Sequence, residues 1–168
     1  SYSVFLIYIF VFSMYLYVKK ENTVFRETLV SVILTFYIGY IGYVFFPAVG
    51  PKFTMSHMFE TSLMGTEITD RLSFLMNYEI SEYTRRDCFP SLHNGIIFLI
   101  LLFAFKQSKT YALFFLPFAI SLFISTLYLR YHYFIDMIAG FALAAIIFYL
   151  GPRLNNWWEE KRVSNTLL

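Results

Sequence analysis

Charge is scarce in this chain, and the scarcity excludes most soluble folds. Only 14% of the 168 residues are charged, whereas 58% are hydrophobic, and the mean hydropathy is +0.60. The formal net charge is +2, and no basic run with interleaved aromatic residues is present, which argues against nucleic-acid binding. The composition indicates a single domain, residues 1–168, that lies mostly in lipid.

Cysteine is scarcer still, because Cys88 is the only one. A single cysteine excludes an internal disulfide and a cysteine-rich metal site. We interpret Cys88 as a small buried side chain. Aromatic residues are abundant, with 21 phenylalanines and 14 tyrosines, and they suit membrane interfaces and packing between helices.

Apolar segments of about 17–25 residues can cross a bilayer as helices, and five segments approach or reach that length. They are roughly Tyr2–Val18, Thr28–Phe46, Pro90–Phe105, Tyr111–Tyr128 and Tyr131–Leu150. The sequence therefore predicts an all-α fold, an integral membrane helical bundle with five spans. Because the chain begins with Ser1 rather than methionine, we expect a sixth, N-terminal span in the intact protein.

The basic residues predict the orientation of the bundle. Eight of them follow the first, third and fifth spans, on one side of the membrane: Lys19, Lys20, Arg26, Lys106, Lys109, Arg153, Lys161 and Arg162. The positive-inside rule makes that side the cytoplasm. The outer loop, residues 47–89, then faces the extracytoplasmic side, and its apolar spacing predicts short helices within Met55–Leu63 and Glu67–Tyr78.

One motif joins a histidine and an aspartate at the start of the fifth span. His132 and Asp136 are four residues apart, so on a helix they share one face. A carboxylate beside an imidazole fixes the tautomer and leaves the other ring nitrogen free as a nucleophile or general base. The alternative is a polar pair that only holds helices together. Ionisable groups near hydrocarbon usually mark a functional site, so we favour the first interpretation.

A second motif, Pro90-Ser91-Leu92-His93, stands where the third span begins. Proline fits the first turn of a helix, and the free N–H groups there favour an anion such as phosphate. His93 is a candidate proton donor to a leaving oxygen. The alternative is an ordinary serine cap beside an interfacial histidine. Both motifs open on the same predicted face, which favours one shared site.

Cations flank this face, where positive charge is otherwise disfavoured: Lys52, Arg85, Arg86 and Arg130. They could neutralise phosphoryl oxygens, although headgroup contact explains a single arginine equally well. His57 is interpreted as an interfacial loop residue. Three histidines and Asp136 could ligate zinc, but their spacing lacks a His-x-x-x-His pair and a second carboxylate. We therefore expect no metal and no cofactor.

These residues resemble the signatures of the type 2 phosphatidic acid phosphatase superfamily. Pro90-Ser91-Leu92-His93 is similar to the Pro-Ser-Leu-His form of its inositol phosphorylceramide synthase-like branch, and His132 with Asp136 matches the end of the third signature. In that signature an arginine normally lies six residues before the histidine, where this chain has Thr126. Arg130 looks like the substitute, as in the synthase-like branch. The first signature is represented by residues 46–52, with Lys52 matching a phosphate ligand and Phe45 standing where another lysine is usual.

The resemblance implies roles for these residues. His132 would be the nucleophile, Asp136 would orient it, and His93 would protonate the leaving group. Lys52 and Arg130 would bind the phosphate. The flanking charge and the helix end add Arg86 and Ser91 as further candidate phosphate ligands. We expect a metal-independent membrane lipid-phosphate phosphatase with a phosphohistidine intermediate at the extracytoplasmic face.

Two alternatives remain open from the sequence. One is a phosphotransferase that passes the group to an alcohol such as inositol, and the other is a non-enzymatic lipid-phosphate binder or transporter. Transport is disfavoured, because Pro117 is the only candidate helix break. The expected partners are a lipid phosphate and the bilayer, without nucleic acid, and the sequence indicates no oligomeric state.

Overall fold

The computed structural model of the chain describes residues 5–60, 71 and 86–166. Within these ranges the chain is helical without strands, and an isolated bridge pairs Ala48 with Asp87. The predicted all-α membrane helical bundle is confirmed. The helices are α1 (Phe5–Val18), α2 (Asn22–Phe45), the one-turn α3 (Pro51–Thr54), α4 (Leu92–Gln107), α5 (Lys109–Tyr128) and α6 (Phe134–Thr166).

Among these helices, α2, α5 and α6 are long and apolar enough to cross a membrane, and α1 and α4 are shorter apolar helices. The predicted spans correspond to these five helices, with changed ends. α2 begins at Asn22 rather than Thr28. α6 begins at Phe134 rather than Tyr131 and continues well beyond Leu150. An ion pair between Arg26 and Glu159, 3.0 Å apart, holds this polar extension of α6 against α2.

The structure describes part of the predicted outer loop. A 3-10 turn at Ser56–Met58 falls within the predicted short helix Met55–Leu63. The other predicted short helix, Glu67–Tyr78, lies outside the described residues apart from Arg71, which is helical.

The most enclosed helix is α4. It packs against α1, α2, α5 and α6, and ten of its sixteen residues are buried. At 1.5 Å per residue it is about 24 Å long, shorter than the ~30 Å hydrocarbon layer. This length is tolerated because its neighbours are protein rather than lipid. The surrounding helices expose large apolar side chains such as Phe10, Val44, Phe114 and Tyr149.

α4 and α6 approach closely where two glycines face each other. A Cβ atom added to Gly95 would lie 2.9 Å from the carbonyl oxygen of Gly140, and one added to Gly140 would collide with the carbonyl oxygen of Ser91. Small residues permit such backbone contact between membrane helices. One turn away, the Ser91 N–H donates to the carbonyl oxygen of Asp136 at 3.0 Å. The start of α4 is therefore fixed against the first turn of α6.

Charged contacts join the helices at the opposite end of the bundle. Lys106, in the last turn of α4, lies 2.9 Å from the buried carboxylate of Glu27 in the first turns of α2. Breaking a buried ion pair leaves an uncompensated charge, which is costly. This pair and the pair between Arg26 and Glu159 hold α2, α4 and α6 together far from both histidine motifs.

The glycine contact can be tested by adding bulk to one helix. Gly140→Val should force α4 and α6 apart and lower the free energy of unfolding by about 1–3 kcal/mol, the usual cost of overpacking. Thermal unfolding in detergent measures the change. Ala142→Val is the matched control, because Ala142 is exposed on the same helix. Equal melting temperatures for the two variants would contradict the close approach.

Candidate active site

His132 lies in the short connection between α5 and α6. Arg130 in this connection has a φ of 61°, the left-handed conformation that commonly ends a helix. The N–H groups of Tyr131 and His132 donate to the carbonyl oxygen of Thr126 at 3.1 and 3.3 Å. The carbonyl oxygen of Arg130 accepts from the N–H of Lys52 at 2.8 Å. These bonds tie the connection to α5 and to α3, and so fix the backbone of His132.

The imidazole of His132 is buried and oriented by a backbone carbonyl. Its Nδ1 lies 2.9 Å from the carbonyl oxygen of Cys88. Because a carbonyl oxygen only accepts hydrogen bonds, Nδ1 carries the hydrogen, and the lone pair of the neutral ring is on Nε2. The Oδ2 atom of Asp136 is 3.8 Å from Nδ1, an ion-pair distance. The carbonyl therefore fixes the tautomer, while Asp136 lies close enough to stabilise a positive ring.

The carboxylate of Asp136 is held by two other donors. Its Oδ2 accepts from the N–H of Tyr133 at 2.7 Å and from the thiol of Cys88 at 2.9 Å. Tyr133 immediately precedes α6, so Asp136 reaches back to the first free N–H of its own helix as in a capping box. This local bond explains why an aspartate begins a membrane helix. It also holds the carboxylate beside His132.

His93 lies in the first turn of α4 and faces the other histidine. The ring centroids of His93 and His132 are 5.8 Å apart, with an angle of 56° between the planes. Phe5 contacts the edge of His93 at a centroid distance of 4.4 Å. The structure therefore brings together the two histidines from the separate sequence motifs.

Ser91 caps α4 and joins it to neighbouring helices. Its Oγ accepts from the side-chain amide of Asn94 at 3.1 Å, and that amide also donates to Thr126 of α5 at 3.1 Å. All three side chains are fully buried. The Ser91 N–H is engaged by Asp136, so this group is not among the donors open to an anion at the helix end. A phosphate contact by Ser91 stays a prediction.

Two of the predicted cations lie beside the histidine connection. The Nζ atom of Lys52 is 3.3 Å from the hydroxyl of Tyr131 and 4.7 Å from the centre of its ring. The guanidinium of Arg130 stacks over Phe59, 3.8 Å from the ring centre. A backbone hydrogen bond joins Lys52 to Arg130. We call these two cations, which lie beside the connection that carries His132, the rim of the site.

The remaining predicted cations are less defined. Arg86 is exposed. It lies near the site because it is only two residues before Cys88 in the chain. Arg85 lies outside the described residues. His57 is exposed in the 3-10 turn, which agrees with its interpretation as a loop residue. The predicted roles of the arginines in phosphate binding stay predictions.

Comparison with known families decides the classification. A family model described as the PAP2 superfamily matches residues 1–150. The chain belongs to the PAP2 superfamily. Members of this superfamily are phosphatases or phosphotransferases, so an enzyme of that type acting at a membrane is supported. No significant match is found among curated proteins or among solved structures.

Three side chains of the candidate site have the donor types of a metal site. Potential ligand atoms of Cys88, His132 and Asp136 all lie within 4.8 Å of one another. The Cys88 thiol already donates to Asp136, and Nδ1 of His132 is engaged by the Cys88 carbonyl. Burial together with Asp136 raises the pKa of the Cys88 thiol far above its usual range. A metal ion would have to displace both the thiol proton and the Nδ1 hydrogen. We therefore interpret the group as a hydrogen-bonded network.

Three residues that contact the candidate site in the structure are not predicted as site residues from the sequence. Cys88 is buried, as predicted, but its thiol also contacts His132 and Asp136, which the sequence does not predict. Asn94 and Thr126 join α4 to α5 beneath the histidines. Asn94 directly follows His93, and a polar amide at the start of an apolar span is a sequence signal that could have indicated a site residue. Nothing in the spacing of Cys88 indicates its partners.

The environment of Cys88 predicts poor reactivity, because only the thiolate is nucleophilic and this thiol is buried and holds its proton. Iodoacetamide at pH 8 should modify Cys88 of the folded protein at least about tenfold more slowly than an exposed thiol. Cys88→Ala/His57→Cys supplies that exposed thiol in the same chain. Mass spectrometry measures the modified fraction, and unfolding in dodecyl sulfate should restore the reaction. Equally fast labelling of both proteins would contradict the buried network.

Proposed function

We propose that this chain is a membrane lipid-phosphate phosphatase that forms a phosphohistidine on His132. The observation that carries the proposal is the orientation of His132. Its Nδ1–H is engaged by the Cys88 carbonyl, which leaves the lone pair on Nε2, and His93 lies 5.8 Å away between ring centroids. A nucleophile and a proton donor must both reach the same phosphoryl group, and the two neighbouring rings are close enough to do so.

The proposed reaction has two steps. Nε2 of His132 attacks phosphorus, the bond between phosphorus and the lipid oxygen breaks, and His93 gives its proton to that oxygen. His93 then takes a proton from water, whose oxygen attacks phosphorus and breaks the bond to nitrogen. Inorganic phosphate leaves, and both histidines regain their starting forms. Asp136, 3.8 Å from Nδ1, stabilises the positive ring during the cycle.

Charge at the rim supports phosphate binding. A backbone hydrogen bond joins Lys52 to Arg130 next to His132, and the N-terminal end of the α4 dipole adds partial positive charge. Phosphoryl transfer depends mainly on positioning and on neutralising the equatorial oxygens. We assign that role to Lys52 and Arg130, with Arg86 and Ser91 as further candidates. The protein groups supply the acid, the base and the countercharge, so the proposed reaction is independent of a metal.

The charge distribution supports an extracytoplasmic site. Lys106 and Arg26 form their ion pairs at the end of the bundle opposite the histidines. If the positive-inside rule applies to this end, the histidines face the extracytoplasmic side. A protease or labelling reagent added outside sealed cells should then reach the loop that carries Arg86.

Phosphotransfer is the second candidate. It is favoured by the resemblance of Pro90-Ser91-Leu92-His93 and of Arg130 to the inositol phosphorylceramide synthase-like branch. The chemistry differs only in the acceptor, because an alcohol such as inositol would replace water in the second step. Adding a candidate alcohol to the assay should then produce a new phosphomonoester of that alcohol at the expense of free phosphate.

Phosphate release from a panel of lipid phosphates tests the enzyme. The purified protein in detergent with excess chelator should release phosphate, and His132→Ala should lower kcat by at least about a thousandfold, as loss of a nucleophile does in other enzymes. His57→Ala is the matched control and should keep full activity. Release that vanishes with chelator would contradict metal independence. Release retained by His132→Ala would contradict the phosphohistidine.

Removing a charge at the rim distinguishes between the enzyme hypothesis and the hypothesis of a non-enzymatic binding protein. Lys52→Gln should lower kcat/KM about 10- to 100-fold, the value of one or two charge-assisted hydrogen bonds to phosphate. Lys161→Gln, an exposed charge on the polar extension of α6, is the control. A pure binder would lose affinity in Lys52→Gln but show no turnover in any variant. Equal kinetics for both lysine variants would remove Lys52 from the phosphate site.

A further inference from the structure

Cys88 connects three segments that build the site. Its N–H donates to the carbonyl oxygen of Ala48 at 3.2 Å, its carbonyl oxygen accepts from Nδ1 of His132 at 2.9 Å, and its sulfur lies 2.9 Å from Oδ2 of Asp136. The side chain is almost completely buried. Cys88, at the end of the outer loop, thus contacts the start of that loop, the proposed nucleophile and the carboxylate that supports it.

The direction of the sulfur bond follows from the chemistry of its partners. A carboxylate accepts hydrogen bonds, so the thiol must donate. The sulfur also lies 3.3 Å from the carbonyl oxygen of Tyr131, but a single S–H hydrogen has one principal acceptor, and the charged oxygen of Asp136 is closer. Burial raises the pKa of the thiol, so the donor keeps its hydrogen at neutral pH.

These bonds set the distance between Asp136 and His132. Oδ2 of Asp136 receives both the Cys88 thiol and the Tyr133 N–H, and it rests 3.8 Å from Nδ1 of His132. At that distance the carboxylate stabilises a positively charged ring. It does not replace the Cys88 carbonyl as the acceptor of the Nδ1–H hydrogen bond. Without the thiol, the carboxylate would lose one of its two anchors and could move toward Nδ1.

We propose that Cys88 is a positioning residue of the reaction, whose thiol holds Asp136 and whose carbonyl holds His132 in the attacking orientation. The inference rests on the proposed function, since it concerns how the nucleophile is aimed. Cys88 does not touch the reacting atoms. The sulfur acts through Asp136, and the carbonyl acts through Nδ1.

Two substitutions separate hydrogen bonding from packing. Cys88→Ala keeps the backbone carbonyl and removes the donor to Asp136, whereas Cys88→Ser keeps a donor of similar size. With dioctanoyl phosphatidic acid in detergent micelles, Cys88→Ala should lower kcat about 10- to 100-fold with KM changed less than about twofold. Cys88→Ser should recover kcat to within about fivefold of the natural protein. Melting temperatures check that both variants fold.

Each kinetic outcome has a distinct meaning. Unchanged kcat in Cys88→Ala, with the natural protein active, overturns the positioning role and leaves the proposed function intact. Equal losses in the alanine and serine variants overturn the hydrogen-bonding role, because the effect is then one of packing. No turnover by the natural protein on any lipid phosphate overturns the proposed function and the inference with it.

Infrared spectroscopy tests the thiol bond without any turnover. Cys88 is the only cysteine, so the S–H stretching band reports this residue alone. A thiol bonded to a carboxylate absorbs at lower frequency than a free thiol, and Asp136→Asn should move the band upward. Cys88→Ser, which has no S–H group, provides the baseline. A band that is unaffected by Asp136→Asn would overturn the assigned bond.

Discussion

The close crossing of α4 and α6 is the constraint on which the site depends. Gly95 and Gly140 let the two backbones touch, and the Ser91 N–H bonds to the Asp136 carbonyl at this point. Because lipid supplies no hydrophobic driving force between helices, such packing and hydrogen bonds must hold the bundle together. The crossing places the first turn of α4, with His93, next to the first turn of α6. Any change in helix spacing would alter the geometry of both histidines.

Polar groups in this apolar bundle are stabilised through shared partners. Unpaired polar groups away from water are costly, and the site meets this requirement with backbone atoms as often as with side chains. The carbonyl of Cys88 holds His132, and the N–H of Tyr133 holds Asp136. These hydrogen bonds leave little freedom for the imidazole of His132, the proposed nucleophile. Such preorganisation lowers the reorganisation that a charged transition state requires.

Hydropathy and motif spacing predicted the bundle, and the alternation of spans predicted that His93 and His132 share one end. The polar end of α6 was not predicted, because it lacks apolar periodicity and its contacts, such as the ion pair of Glu159 with Arg26, join residues far apart in the sequence. Cys88 was missed for a related reason. Its partner Asp136 is 48 positions along the chain, and their contact depends on how the loop before α4 folds against α6.

The length of α6 relates the site to the thickness of its membrane. From Phe134 to the exposed Trp157 the helix rises about 35 Å, and tryptophan favours the headgroup region. Bilayers differ in hydrocarbon thickness from about 27 to 33 Å, and a helix meets a thinner one by tilting. Tilt of α6 changes the depth of its first turn relative to the headgroups. The depth of Asp136 and of the neighbouring His132 is therefore tied to the thickness of the host bilayer.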